Sequence, residues 1–158
     1  MPATLEELAR SLDRPPGLVR RVAAFVQGND RPFRELVDPA LELLGGVVPA
    51  WPLLDRWNDW ALANHASFFV WQPHRAGLSD RQRLEVLIHT IMMLAGKERG
   101  LADYRNASIA AAEVVMAGDD CVICDTHRHE VVPLSADAPA GLAPFHLGCR
   151  CGILPHLD

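Results

Sequence analysis

Several residue types that would point to nucleic acid, a membrane or secretion are scarce in this sequence of 158 residues. Lysine occurs once, at Lys97, and the net charge is −5, so no basic patch for a phosphate backbone is predicted. The uncharged stretch 61–74 contains asparagine, histidine and serine, which argues against a membrane-spanning helix there. The N-terminal residues have neither a basic start nor an apolar run, so we expect no signal peptide.

Motifs of the common nucleotide-dependent and hydrolytic enzymes are also missing from the sequence. It contains no G-x-x-x-x-G-K-[ST], no G-x-G-x-x-G, no H-E-x-x-H and no G-x-S-x-G. No internal repeat is evident either. Apolar residues make up 49% of the chain, which is ample for a core, and the length fits one domain with a small appended module.

Helical periodicity and helix start signals run through most of the first two thirds of the chain. Thr4-x-x-Glu7 is a capping box, and Pro16 stands where a second helix can begin. Pro39 cannot donate its amide, so a kink or a restart capped by Asp38 is expected in the third helix. Helices are predicted after the Thr4 cap, from Pro16, at 33–44, at 53–71, from a second capping box at Ser79 to Gly100, and at 101–116.

All four tryptophans of the chain lie within the segment 51–71. A buried core cluster is one interpretation of this segment. The other is an aromatic surface that faces a partner, because tryptophan is enriched at the anchors of interfaces. The sequence leaves both open.

The four cysteines lie within 31 residues and point to a metal site. Cys121 and Cys124 form a C-x2-C pair, and His146, Cys149 and Cys151 follow as H-x2-C-x-C. Zinc takes about four nitrogen or sulfur ligands in a tetrahedron, and two short knuckles facing each other can supply them. The repeated spacing makes Cys121, Cys124, His146 and Cys149 the first choice. Cys151 could replace either of the last two, because residues two apart in a strand share a face.

Disulfide and redox uses of these cysteines are the alternatives. A disulfide framework suits small secreted chains, whereas this one has no signal peptide and ample apolar residues for a core. A redox C-x2-C usually has a lowered thiol pKa, but Asp119 and Asp120 precede Cys121 and would raise that pKa. A structural zinc ion is therefore favoured, and Arg128 and Arg150 could offset the charge of its thiolates.

A catalytic metal is a further alternative, with His127 and His129 at the chemistry. Such a site needs an open position and a nearby acid or base, and Asp125 and Glu130 are close in sequence. A nuclease of the HNH type places its histidines on a strand and a helix, however, and no helical pattern follows Cys124. Three cysteines and a histidine also leave zinc with a net charge of about −1, which makes it a poor Lewis acid. We therefore predict no catalytic residue.

The rest of the C-terminal segment is typical of a short β-ribbon. A strand is predicted at 129–134 and its partner at 151–154. A two-stranded ribbon is marginal alone, so a metal cross-link would supply folding energy there. The predicted fold class is mainly α, with a helical domain of about five or six helices at 1–118 and a zinc-stabilised β-ribbon and knuckle at 119–158.

This C-terminal segment resembles a known protein family. The stretches Cys-Val-Ile-Cys-Asp, His-Glu-Val-Val-Pro-Leu and Ala-Pro-Phe-His-Leu-Gly-Cys-Arg-Cys-Gly-Ile-Leu-Pro look like the end of phage head-morphogenesis proteins, the Mu F-like minor capsid proteins. The likeness covers about 104–155, and it departs from the family pattern at the histidine, where Pro144 stands one residue early and Leu147 follows. The resemblance implies a virion or prophage origin for this segment and supplies no catalytic residue.

The expected function is a non-enzymatic head-assembly or protein-interaction role, phage- or prophage-derived, with a structural Zn²⁺ ion. The partner would be a protein (capsid, portal or a second copy) bound through the helical domain, and the location would be the cytoplasm or the virion. Two alternatives remain: a zinc-dependent nuclease or toxin of phage origin that uses His127 and His129, and a small zinc-containing regulator that binds nucleic acid. The acidity of 119–158, with six carboxylate residues against two arginines, argues against the last.

Overall fold

The computed structural model of the chain describes residues 2–46, 80–116, 122–135, 141–145, 149 and 151–157. Within them the elements are α1 (Leu5–Ser11), α2 (Pro16–Gln27), α3 (Phe33–Leu43), α4 (Asp80–Asn106), β1 (Ala111–Val115), α5 (Val122–Asp125), β2 (Val131–Pro133) and β3 (Gly152–His156). The predicted helix at 53–71, the tryptophan cluster and the cap at Ser79 lie outside the described residues. Four of the described helices exceed a single turn, so the predicted number of five or six is not confirmed. None of the described helices is both long and apolar enough to cross a membrane.

The first two helices begin at the signals that the sequence predicts. Thr4 is the N-cap of α1, and its hydroxyl oxygen accepts a hydrogen bond of 3.1 Å from the Glu7 N–H. The Glu7 carboxylate accepts from the Ala3 N–H at 2.7 Å, so the capping box closes one residue before its usual position. α2 begins at Pro16, because the first turn of a helix leaves its N–H groups without helical partners in any case.

α3 continues through Pro39 as a single helix, so the restart considered at this position does not occur. Val37 and Ala40 lie on either side of the proline and are fully buried. Their packing offsets the hydrogen bond that the proline removes, which costs about 3 kcal/mol in a helix interior. Gly45 and Gly46, with φ of +91° and +87°, end the helix where the sequence predicts its end.

The N-terminal helices pack on the first half of α4 and form the main hydrophobic core. Each fully buried Leu, Ile or Val in such a core stabilises the fold by about 1.5–3 kcal/mol relative to an exposed one. The residues at 0% exposure in this cluster are Leu8, Ala9, Val19, Val22, Val37, Ala40, Leu44, Leu87, Ile88, Ile91 and Leu94.

The prediction of two separate helices at 79–100 and 101–116 is wrong. α4 runs through Gly100 to Asn106, and the chain then forms β1. Gly100 costs a helix interior only about 1 kcal/mol, and a methyl group there would lie 3.5 Å from the Ile153 side chain, so the position packs closely against β3. In β1 alternate residues are buried, among them Ala112 and Val114 at 0% exposure. This two-residue period defines a strand, although the same small residues also fit a helical stripe.

The predicted direct pairing of the two C-terminal strands is also wrong. β1 lies between them in an antiparallel sheet of order β2-β1-β3. Ala112 pairs with Val132 of β2 and with Pro155 of β3. The inner face of this sheet covers Leu101 of α4 and Leu142, which a two-stranded ribbon would leave more exposed. The central strand thus comes from before residue 119, where the sequence predicts the second domain to begin.

Candidate metal centre

Three cysteine side chains meet where α5 approaches the start of β3. The sulfur atoms of Cys124, Cys149 and Cys151 all lie within 4.8 Å of one another. The Cys124 and Cys149 sulfurs are 3.6 Å apart, well beyond the roughly 2.05 Å of a disulfide, and all three cysteines are free. Two thiolates on one zinc ion, each bonded at about 2.3 Å in a tetrahedron, would be separated by about 3.8 Å. The spacing therefore fits shared coordination of one ion.

Local structure brings these sulfurs together from distant parts of the chain. Cys124 lies on the single turn of α5, and Cys151 directly precedes β3, whose pairing with β1 fixes its position. The Cys151 sulfur also contacts the Met116 sulfur at 3.6 Å, just after β1 ends. Ala143 and Phe145 of the segment between β2 and β3 pack against the same group. The sheet and the turn of α5 thus hold the three thiols in place.

The thiol group is closed to solvent. Cys124 and Cys149 are each 1% exposed and Cys151 is 4% exposed. A hydrogen bond with Cys124 lowers the pKa of Cys149, but the bond with Cys151, burial and the charge of Cys151 outweigh it and raise that pKa. Without a cation the Cys149 thiol therefore stays protonated near neutral pH. A divalent metal ion would displace the protons and stabilise the thiolates, so the arrangement can hold a metal ion.

Three of the five predicted ligands are therefore brought together, and the other two, Cys121 and His146, lie outside the described residues. The sequence favours Cys149 over Cys151 as a ligand. The structure places both in the group, beside Cys124. The positions of Cys149 and Cys151 therefore do not identify either of them as the residue that is not a ligand.

The two histidines of the nuclease alternative are engaged elsewhere. His127 Nδ1 lies 2.6 Å from a carboxylate oxygen of Glu130, and its ring stacks on Phe145 with centroids 4.0 Å apart. His129 Nδ1 lies 2.6 Å from a carboxylate oxygen of Glu113 on β1. Among the described residues neither histidine joins a third ligand to form a metal-binding group.

Arg128, which the sequence suggests as an offset for thiolate charge, forms an ion pair of 2.8 Å with Asp125. Both side chains are more than one-third exposed, so this pair lies at the surface. The other arginine suggested for that role, Arg150, lies outside the described residues. The described structure thus gives the thiol group a different basic neighbour.

That neighbour is Lys97, which the sequence did not predict as a functional residue. Its side chain is buried at 4% exposure, and its Nζ donates a hydrogen bond of 3.3 Å to the Leu142 carbonyl oxygen. Burial lowers the pKa of Lys97 to about 8, while the negative charges of Glu7, Glu98 and Cys149 act in the opposite direction. The spacing of Lys97 does indicate its buried position, because Lys97 follows Leu94 by three residues on the apolar stripe of α4.

A cavity of about 350 Å³ lies between α4 and β3, next to the thiol group. Lys97, Tyr104 and Cys151 line it together with Met92 and Ile153. The Tyr104 hydroxyl donates a hydrogen bond of 3.0 Å to the Ile153 carbonyl oxygen, which ties the helix to the strand at one end.

Comparisons of the chain with models of protein families, with curated proteins and with solved structures give no match in any of the three.

Proposed function

We propose that the chain binds one structural Zn²⁺ ion through Cys124, Cys149, Cys151 and one ligand from the pair Cys121 and His146. The observation that carries this proposal is the meeting of three buried sulfur atoms within 4.8 Å. Soft thiolate ligands favour zinc, copper(I) or iron–sulfur clusters over hard cations such as magnesium. Three thiolates and a fourth nitrogen or sulfur ligand make zinc a poor Lewis acid, which favours a structural over a catalytic ion.

The proposed ion stabilises the small sheet. β2 has three residues and β1 and β3 have five each, so the sheet alone contributes little stability. An ion held by α5 and by the start of β3 would link segments that are about 25 residues apart in sequence. Bringing these segments together costs conformational entropy, which the binding of the ion would offset. Metal-binding free energy then becomes folding free energy for this part of the molecule.

We further propose that the protein acts by binding another protein, as a phage- or prophage-derived head-assembly factor in the cytoplasm or the virion. The resemblance of 104–155 to the minor capsid proteins supports this role, and so does the thiolate-rich composition of the metal group, which suits a structural ion. The partner would be a capsid protein, a portal protein or a second copy, bound through the helical domain. The acidic balance of the chain disfavours nucleic acid as the partner.

The metal proposal is tested by elemental analysis and native mass spectrometry of the purified chain. We expect one zinc ion per chain in the wild type and a large loss in Cys124→Ser and in Cys149→Ser. His129→Ala removes a histidine near the group that does not touch the sulfurs, so this control should keep its zinc. A metal-free wild type with its thiols joined in disulfides would contradict the proposal.

The functional proposal is tested by mixing the protein with the capsid and portal proteins encoded in the same genome. Co-sedimentation of defined stoichiometry with one of them, or self-association measured by sedimentation velocity, is the expected result. Zinc-dependent cleavage of DNA or RNA that disappears in a His127→Ala/His129→Ala pair would instead establish the nuclease alternative. A salt-dependent shift of nucleic acid in a gel would favour the regulator.

A further inference from the structure

We propose that Lys97 is the buried counter-charge of the metal centre: its ammonium group offsets the excess negative charge of the metal–thiolate group and attaches the neighbouring segment 141–145 to α4. This inference rests on the proposed metal site. It adds a basic residue from the helical core to a group whose candidate ligands all lie at 121–151.

The position of Lys97 is otherwise that of an apolar core residue. Leu94 lies three residues before it and Leu101 four residues after it, and both are buried at 2% exposure or less. Burying an ammonium group is costly unless anionic or hydrogen-bonding groups compensate for it. Every other basic residue of the chain is an arginine, so the only lysine stands at a buried position. A compact ammonium group on a flexible stem fits this space more readily than a planar guanidinium.

Two features of the structure place Lys97 beside the thiol group. Its Nζ donates to the Leu142 carbonyl oxygen, and the next residue, Ala143, packs against the three cysteines. Lys97 and Cys151 also line the same cavity. The carboxylates of Glu7 and Glu98 act on Lys97 as well. Lys97 and the thiol group thus border the same cavity and the same segment 141–145.

Charge counting shows why a cation is needed there. Three thiolates and a neutral histidine around Zn²⁺ carry a net charge of about −1, and a fourth thiolate makes it about −2. In a buried environment such an anion is poorly solvated, and a nearby ammonium group stabilises it more than it would in water. With Lys97 charged, the total falls to about 0 or −1. We therefore expect Lys97 to raise the affinity of the site for a divalent metal.

The experiment compares the full-length chain with Lys97→Met, which keeps most of the length of the side chain and removes its charge. Zinc affinity is measured by competition with a chromophoric chelator, and cobalt(II) binding is followed through its thiolate absorption. We expect affinity to fall at least tenfold, whereas the metal-free variant is as stable as the wild type or more stable. A purely structural role for Lys97 predicts the reverse: a less stable metal-free protein with unchanged affinity.

Two further variants keep the result interpretable. Arg99→Met removes a positive charge from an exposed position two residues along α4, and it should leave affinity within about twofold of the wild type, because solvent screens that charge. Lys97→Gln keeps a donor for Leu142 without the charge, and it should lose affinity as Lys97→Met does. If Lys97→Met does not fold, the zinc affinity of Lys97→Gln tests the proposal in its place.

The outcomes separate this inference from the proposal on which it rests. Wild-type affinity in Lys97→Gln or Lys97→Met, with zinc bound in the wild type, overturns the role of Lys97 and leaves the metal site intact. A wild type that binds neither zinc nor cobalt overturns both.

Discussion

At the scale of single residues, the metal-free protein disfavours the charged forms of both Lys97 and Cys149. Burial lowers the pKa of Lys97 to about 8, and the pKa of Cys149 is raised. Without a metal ion the protein therefore buries a lysine that binds its proton more weakly than usual, together with a Cys149 thiol that retains its proton.

The first prediction concerns the pH dependence of metal-free stability. The pKa of Lys97 falls from 10.5 to about 8 on folding. The buried charge of Lys97 therefore destabilises the folded state fully below pH 8, and this destabilisation is lost above about pH 10.5, where Lys97 is neutral in both states. Lys97→Met should therefore be more stable than the wild type at pH 7. This difference in the free energy of unfolding should decrease by about 3 kcal/mol between pH 7 and pH 10.5. Urea denaturation of both proteins, with chelator and reductant present, measures this difference at each pH. An excess that is independent of pH would contradict it.

The second prediction concerns Glu113 on the outer face of the sheet. Its pKa is lowered, chiefly by the hydrogen bond with His129; desolvation acts in the opposite direction, and the charge of His129 and the hydrogen bond and charge of His156 lower the pKa further. In His129→Ala the pKa of Glu113 should move back up towards 4.5. A carboxylate NMR titration measures this shift. His127→Ala is the matched control, because His127 pairs with Glu130 and should leave Glu113 unchanged.

At the scale of elements, the sequence is informative where a signal has one reading. The cap at Thr4, the proline at the start of α2 and the glycines after α3 are each confirmed. β1 was missed because Ala111, Ala112 and Val115 fit a helical stripe as well as a strand, and only pairing with β2 and β3 decides between them. The three sulfurs could be predicted as candidate ligands from spacing alone. Lys97 could not, because its proximity to them depends on the fold of 141–145.

The third prediction tests the continuity of α4. Gly100 lies inside this helix without a positive φ, and a methyl group there would make an ordinary contact of 3.5 Å with Ile153. Gly100→Ala should therefore stabilise the protein by up to about 1 kcal/mol in a denaturant titration. If Gly100 instead capped a helix, as the sequence suggests, the same change would destabilise. Gly45→Ala is the comparison, because its φ of +91° makes any side chain unfavourable.

At the scale of the whole molecule, the buried residues fall into a large helical cluster and two small ones. The large cluster comes from α1 to α4 and contains none of the cysteines. The two small clusters contain the three described cysteines, the sheet and the end of α4. Stability should therefore be unevenly distributed, with the sheet depending on the proposed metal ion and the helices on apolar packing.

The fourth prediction follows from that division. Removing the metal with a chelator should leave most of the far-UV circular dichroism signal of the helices, because their core is intact. Amide hydrogen exchange in β1 and β3 should become much faster, while the amides of α2 and the first half of α4 remain protected. Exchange measured by mass spectrometry with and without chelator gives the comparison. Equal acceleration in both regions would show that the molecule unfolds as one unit and would contradict the prediction.

Among the helices that the structure describes, α4 is the one that enters both regions. Its 27 residues span roughly 40 Å. The first half carries Leu87 and Ile91 in the helical core, and Lys97 to Tyr104 adjoin the sheet and the thiols. Because a helix moves as a stiff unit along its axis, a displacement of the helical core would also displace Lys97 and Tyr104, which line the cavity next to Cys151. If a partner binds the helical core as we propose, its binding would therefore change the affinity of the thiol group for the proposed ion.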